Sequence, residues 1–154
     1  MDNTPKVLFL SRGNASRAQI AEGFLRCFGG SQFVAFSAGT ESASVSPLAT
    51  EIMSEAGIDI SAQQVREVVS LFRETFHCVV ALCDEARERY PVYPFTRNLL
   101  RWPVVDPDAV AHDAEERKKA FRQIRDQIKN KVMDLVEAMN EPKRVFAESY
   151  PRAA

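Results

Sequence analysis

The chain has 154 residues, a hydrophobic fraction of 45% and a net charge of -1. This balance gives no electrostatic reason to bind nucleic acid or an anionic membrane, and the length suits one domain with a substantial core. No apolar segment approaches the roughly 20 residues of a membrane helix, and the first apolar run lacks a signal-peptide cleavage site. We therefore expect a cytoplasmic protein with no nucleic-acid or membrane partner.

Strand and helix patterns alternate along the chain. The apolar run KVLFL at 6–10 predicts a strand buried on both faces, and a helical pattern follows at about 17–28, where two glycines end it. Alternation of this kind predicts right-handed crossovers and a parallel sheet. The other predicted elements are strands at 32–37, 77–82 and 99–103 and helices at 47–56, 65–71, 84–90 and 114–140.

These patterns predict one three-layer α/β domain over residues 1–154. We expect a four-stranded parallel sheet flanked by helices, with a core at about 6–140 and a surface tail at 141–154. Ligands of such sheets bind beyond the carboxyl ends of the strands. Three polar features follow strands at that edge, namely the loop from Ser11 to Arg17, Cys83 and Asp106.

The first of these features, the loop Ser11-Arg12-Gly13-Asn14-Ala15-Ser16-Arg17, joins a strand to the start of a helix. Such a loop presents backbone N–H groups and the positive end of a helix dipole to an anion. An arginine adds a charged fork that matches tetrahedral oxyanions. The loop therefore predicts a binding site for phosphate, arsenate or sulfate.

The cysteines and histidines indicate neither structural disulfides nor a metal. The three cysteines are odd in number and have no framework spacing. Cys27, on the predicted apolar face of the first helix, and Cys78, in a strand, are expected to be small buried hydrophobes. His77 and His112 show no ligand spacing, so we expect no zinc site and no other cofactor.

At this point a family resemblance is visible. The run VLFLSRGNASRAQIAEGFLR resembles the signature of the low-molecular-weight protein tyrosine phosphatases and of the arsenate reductases that share their fold. Four later segments are similar to further family motifs: Ser-Ala-Gly-Thr at 37–40, Pro-Leu-Ala at 47–49, Gly-Ile-Asp-Ile at 57–60 and Asp-Pro at 106–107. The resemblance covers about residues 6–140 and implies a flavodoxin-like phosphatase fold.

The resemblance also implies a role for each matched position. Ser11 stands at the position of the family's nucleophilic cysteine, and Arg17 would grip two oxyanion oxygens. Asp106 would be the general acid, and Cys83 matches a redox cysteine of the reductases. The residues implied to surround the oxyanion are Arg12, Gly13, Asn14, Ala15, Ser16 and Arg17, with the Asn14 side chain also holding the loop.

Two departures from the family pattern bear on the chemistry. A cysteine thiol has a pKa of about 8.5 and can form a thiolate. A serine hydroxyl is far less acidic, and this loop offers no neighbouring base to activate it. Tyr90 stands where thioredoxin-coupled reductases complete a three-thiol relay, whereas glutathione- and glutaredoxin-coupled members lack that thiol. We therefore expect oxyanion binding with absent or very slow turnover, and thioredoxin or glutaredoxin with glutathione as candidate redox partners.

Several interpretations stay open at this stage. Cys83 and the Trp102 to Pro107 stretch resemble the arsenate reductase branch more than the tyrosine phosphatase branch. Ser11 is either a serine substituted for the catalytic cysteine of a reductase or phosphatase, or a native serine in a non-catalytic binder of oxyanions or phosphoproteins. A more distant alternative is a flavodoxin-like protein that holds a flavin phosphate with the Ser/Gly/Asn-rich loop.

Overall fold

A five-stranded parallel sheet organises the molecule. The computed structural model describes residues 3–13, 16–41, 45–64, 66–94, 96, 98–110 and 112–140. Its strands are β1 (Lys6–Ser11), β2 (Val34–Gly39), β3 (Arg66–Glu67), β4 (Cys78–Cys83) and β5 (Leu99–Pro103), in the order β3-β2-β1-β4-β5. Its α-helices are α1 (Ser16–Gly29), α2 (Pro47–Glu55), α3 (Pro107–Val110) and α4 (Ala114–Met139). The predicted α/β fold is confirmed, although the expected four strands omitted the two-residue edge strand β3.

Both faces of the central strand β1 are buried, as its apolar run predicts. Val7 and Phe9 join the larger core, where helices α1, α2 and α4 cover the sheet. Leu8 and Leu10 point the other way into a smaller core that includes Phe76. Successive side chains of a strand point to opposite faces of the sheet, so β1 contributes to two cores because both faces of the sheet are covered.

The helix signals at 47 and 114 are also confirmed. The Ser46 hydroxyl accepts a hydrogen bond from the Ala49 N–H at 3.3 Å, and Pro47 occupies the first helical position of α2. At the start of α4 the Asp113 carboxylate accepts from the Glu116 N–H at 2.8 Å. Apolar residues recur at helical spacing along α4 and form a buried stripe of Phe121, Ile124, Ile128, Val132 and Leu135.

Three local predictions are wrong. Residues 84–90 form a turn rather than a short helix, and 65–71 give way to β3 followed by a 3-10 helix at Val68–Leu71. Cys27 is exposed because helix α1 is buried nearly all round only as far as Leu25, and its last turn leaves the core. The predicted tail at 141–154 lies outside the described residues.

The parallel register brings the polar features of the sequence to one edge of the sheet. Ser11, at the end of β1, lies opposite Gly39 of β2 and Leu82 of β4. Cys83 follows Leu82 and lies opposite Pro103, the last residue of β5. The candidate site residues therefore meet where three adjacent strands end. Among the described helices, none combines the length and apolarity that crossing a membrane demands.

Candidate functional site

Ser11 forms the floor of the site. Its side chain is fully buried, and its hydroxyl oxygen accepts a hydrogen bond from the Ala18 N–H at 3.3 Å. Ala18 lies in the first turn of α1, where backbone N–H groups lack helical partners and the helix dipole is positive. An atom at this position therefore experiences an environment that favours negative charge.

Arg17 crosses the site as a buried cation with defined partners. Its Nη1 donates to Glu88 Oε1 at 2.6 Å and to the Val104 carbonyl at 3.0 Å, and its Nη2 donates to Glu88 Oε2 at 3.0 Å. The Arg17 side chain is 3% exposed and that of Glu88 is 16% exposed. A bidentate pair at such low exposure is shielded from solvent and fixes the guanidinium plane.

Glu88 is itself held by the turn that follows β4. Its Oε1 accepts from the Asp84 N–H at 2.9 Å, and its own N–H donates to the Asp84 carbonyl at 2.7 Å. Burial alone would raise the pKa of the Glu88 carboxyl, but the hydrogen bonds from Arg17 and Asp84 outweigh it and the pKa is lowered. Glu88 is therefore an ionised acceptor that is already engaged.

The loop between β1 and α1 is tied to the end of β2. The Gly13 N–H donates to Thr40 Oγ1 at 2.9 Å, and Gly13 has a φ of 66°, a left-handed conformation that favours glycine. Arg12 is exposed and Ser16 is buried. Asn14 and Ala15, both predicted to surround the oxyanion, lie outside the described residues.

Cys83 is a buried thiol beside these charges. Burial raises its pKa, and the Glu88 carboxylate raises it further, while Arg17 and Arg12 oppose the increase. The thiol is therefore predominantly protonated near neutral pH. Tyr90 cannot supply a second thiol, and burial together with the nearby Glu85 carboxylate raises its pKa to about 12.

Asp106 lies at the same edge of the sheet, on the loop that leaves β5. It is half-buried, and its Oδ1 accepts from the Asp108 N–H at 3.0 Å, which caps the short helix α3 at Pro107. Val104, two residues earlier, is the residue whose carbonyl binds Arg17. The arginine therefore anchors the segment that carries the predicted general acid.

A second polar cluster links helix α1 to strand β2. Ser37 Oγ donates to Glu22 Oε1 at 2.7 Å, and Arg26 Nε donates to Glu22 Oε2 at 2.8 Å. Burial raises the pKa of Glu22, although Ser37 and Arg26 partly offset the increase. Ser37 and Thr40 therefore give the Ser-Ala-Gly-Thr segment two structural roles, one under α1 and one at Gly13.

Glu88 is the site residue that the sequence did not reveal. It lies 71 residues from Arg17, and nothing in the local pattern distinguishes it from its neighbour Glu85. The only available signal was a general one, since a buried arginine needs an acceptor. Within the described ranges no group of three or more histidine, cysteine, aspartate or glutamate side chains is arranged to hold a metal ion.

Comparison with known proteins identifies the family. Residues 6–145 match the low molecular weight phosphotyrosine protein phosphatase family. An arsenate reductase of Halalkalibacterium halodurans is 33% identical over 135 residues, which cover 88% of this chain and 97% of the relative. The glutaredoxin arsenate reductase of Synechocystis is 31% identical over 131 residues, which cover 85% of this chain and 95% of the relative. A solved arsenate reductase in the phosphate binding state has a TM-score of 0.73 at 31% identity, covering 86% of this chain and 97% of that one. The chain belongs to the low molecular weight phosphotyrosine protein phosphatase family.

Proposed function

We propose that this chain is an arsenate reductase-like protein that binds arsenate or phosphate in the Ser11 to Arg17 loop, with little or no turnover. The observation that carries the proposal is the pre-oriented, buried Arg17 guanidinium beside the N-terminal turn of α1. That combination suits a tetrahedral oxyanion. The arsenate reductase relatives and a phosphate-bound structural neighbour support the same ligand class.

Slow turnover follows from the chemistry of Ser11. The N–H groups at the start of α1 would stabilise a thiolate, but the hydroxyl of serine stays protonated at neutral pH. A serine nucleophile needs a base, and the carboxylate of Glu88 is already engaged by Arg17 and Asp84 with a lowered pKa. We therefore propose that the site binds the oxyanion without attacking it.

Redox chemistry would have to pass through Cys83, the one cysteine placed at this edge of the sheet in the described structure. Its pKa is raised, so the reactive thiolate is a minor species. Thioredoxin, or glutaredoxin with glutathione, is the proposed partner class if Cys83 is used. A cytoplasmic location, where such thiol systems operate, is part of the same proposal.

A second candidate function is a non-catalytic binder of phosphoproteins, which the same serine favours. The loop would then hold a phosphorylated side chain instead of a free oxyanion. Competition between a phosphotyrosine peptide and inorganic phosphate separates the two candidates.

Calorimetry with sodium arsenate and sodium phosphate tests the proposal. We expect saturable binding to the parent protein and binding about tenfold to a hundredfold weaker to Arg17→Ala, the loss expected for removing a charged bidentate donor. Arg122→Ala, which removes an arginine of α4 outside the site, is the matched control and should bind as the parent does. Absence of binding to the parent, or equal binding to Arg17→Ala, would contradict the proposal.

A further inference from the structure

We propose that Glu88 is a positioning residue that fixes Arg17 so that one edge of its guanidinium is presented to the oxyanion. The proposal rests on the proposed function, since it names the group that prepares the same site. It assigns a role to a residue that neither the sequence motifs nor the candidate catalytic set includes. The pair of hydrogen bonds between Glu88 and Arg17 is the juxtaposition that carries it.

The donor geometry of Arg17 leaves a complete edge available. Arginine has five N–H donors arranged in a planar fork. The two on Nη1 go to Glu88 and to the Val104 carbonyl, and one on Nη2 goes to Glu88. No residue in the described part of the chain accepts from Nε or from the second Nη2 hydrogen. These two hydrogens are parallel along one side of the guanidinium, and two oxygens of a tetrahedral oxyanion match that spacing.

The partners of Arg17 lie at one end of its guanidinium. Glu88 and Val104 occupy the outer end of the guanidinium, and they come from the turn after β4 and the segment after β5. Nε is the guanidinium nitrogen nearest the Arg17 backbone, which belongs to the loop predicted to surround the oxyanion. The contacts with Glu88 and Val104 therefore use both hydrogens of Nη1 and one of Nη2, and they leave the Nε–Nη2 edge without an acceptor among the described residues.

Glu88 is held in place independently of Arg17. Its carboxylate accepts from the Asp84 N–H at 2.9 Å, and its backbone N–H donates to the Asp84 carbonyl at 2.7 Å. The Asp84 carboxylate in turn accepts from the Ala86 N–H at 3.1 Å. An acceptor fixed by its own turn can define the rotamer of the arginine before the ligand arrives. The ligand then does not have to immobilise a flexible side chain, which favours binding.

Glu88 could also weaken arsenate binding by charge repulsion, and a measurement can distinguish this effect from positioning because the two change the affinity in opposite directions. The Glu88 carboxylate is a negative charge close to an anion site, so its removal would strengthen binding if simple charge repulsion dominated. Glu85 provides a matched control, because it lies in the same turn, is exposed and has no described contact with Arg17. Glu85→Ala removes one negative charge from the turn and leaves the Arg17 pair intact.

The experiment is calorimetric titration of the full chain with sodium arsenate, using the parent, Glu88→Ala, Glu88→Gln, Glu85→Ala and Arg17→Ala. We expect Glu88→Ala to bind about tenfold more weakly, the loss typical of one misplaced charged contact. Glu88→Gln retains one acceptor oxygen for Nη1 and for the Asp84 N–H but turns an NH2 donor toward Arg17 Nη2, so its affinity should lie between those of the parent and Glu88→Ala. Glu85→Ala should stay within about twofold of the parent.

The outcomes separate the two levels of the proposal. A parent that binds no arsenate contradicts the proposed function and this inference with it. If the parent binds arsenate, Arg17→Ala binds it much more weakly and Glu88→Ala binds it as tightly as the parent or more tightly, the positioning role alone is overturned. Thermal melts of each variant establish that the titrated protein is folded. If Glu88→Ala does not fold, weak binding by a folded Glu88→Asp, whose shorter side chain cannot span the same pair, supports the role and unchanged binding overturns it.

Discussion

Two bidentate arginine–glutamate pairs with the same chemistry occupy different regions of this molecule. Arg17 and Glu88 meet at the carboxyl edge of the sheet with side-chain exposures of 3% and 16%. Arg122 of α4 and Glu55 of α2 meet on the helical face with exposures of 45% and 33%. Both pairs have short contacts, with Nη2 to Oε2 distances of 3.0 Å and 2.7 Å respectively.

The pairs differ in geometry, since Arg17 uses Nη1 and Nη2 whereas Arg122 uses Nε and Nη2, but the larger difference is one of environment. Water screens the α2–α4 pair, so its worth is limited to a small contribution to helix packing. The sheet-edge pair is desolvated, and a cation in that setting must keep an acceptor or become destabilising. A buried ion pair is by itself weak evidence for stability, and we infer that this one orients the Arg17 charge at the proposed oxyanion site.

The largest expected difference is in stability. We expect Glu88→Ala to lower the free energy of unfolding by about 3 kcal/mol, the lower end of the range for breaking a buried pair, because Glu88 keeps some exposure. Glu55→Ala should lower it far less, because water screens the exposed pair. Urea denaturation of the two variants and the parent measures both values. Equal losses would show that burial does not distinguish the pairs.

Low pH should reduce the difference in stability between the parent and the Glu88 variants. The pKa of Glu88 is lowered in the folded protein, so its ionised form stabilises the fold above the ordinary glutamate pKa of about 4.3 and that stabilisation is lost as the pH falls through the folded value. We expect the stability gap between the parent and Glu88→Gln to narrow below about pH 4.3. Hydrogen bonds from Arg122 lower the pKa of Glu55 to about 2, yet its exposure keeps the Glu55→Gln gap small at every pH. Denaturation series across pH would contradict the account if the Glu88→Gln gap stayed constant.

The smallest expected effect concerns Cys83. Burial and the Glu88 carboxylate raise the pKa of Cys83, so Glu88→Ala should lower that pKa and speed alkylation of Cys83 near neutral pH. Glu55→Ala should leave it unchanged. Iodoacetamide rates as a function of pH, resolved by mass spectrometry, give the pKa directly. Exposed Cys27 is the internal reference, and Cys78, whose pKa burial raises to about 12, should stay unmodified.

The scaffold was predictable because its signals are local. Continuous apolar runs identified β1 and β4, and Pro47 and the helical spacing of apolar residues at 121–135 identified two helices. These signals hold because a parallel sheet covered on both faces tolerates only apolar strands. The segment at 84–90 carries no such pattern, and the helix predicted there proved to be a turn.

The site was predictable only in part, because its partners are distant in sequence. The loop motif located Ser11 and Arg17, but it could not indicate that Glu88 and Val104 would bind the arginine. The role of Thr40 at Gly13 likewise depends on the register between β1 and β2. The sequence does not predict the exposure of Cys27, because helical periodicity identifies the apolar face of a helix but not the residue at which the core ends. The family assignment leaves the flavodoxin alternative without support.

The most direct test of the central claim is the turnover of Ser11→Cys. The claim is that this chain retains the oxyanion-binding groups of its family and that, for phosphoryl chemistry, it lacks only the attacking sulfur. We expect Ser11→Cys to hydrolyse p-nitrophenyl phosphate at a measurable rate, to lose that activity with Arg17→Ala, and to exceed the parent by at least about a hundredfold. A Ser11→Cys protein that binds phosphate yet remains as inert as the parent would contradict the claim, because the site would then differ from an active one by more than its nucleophile.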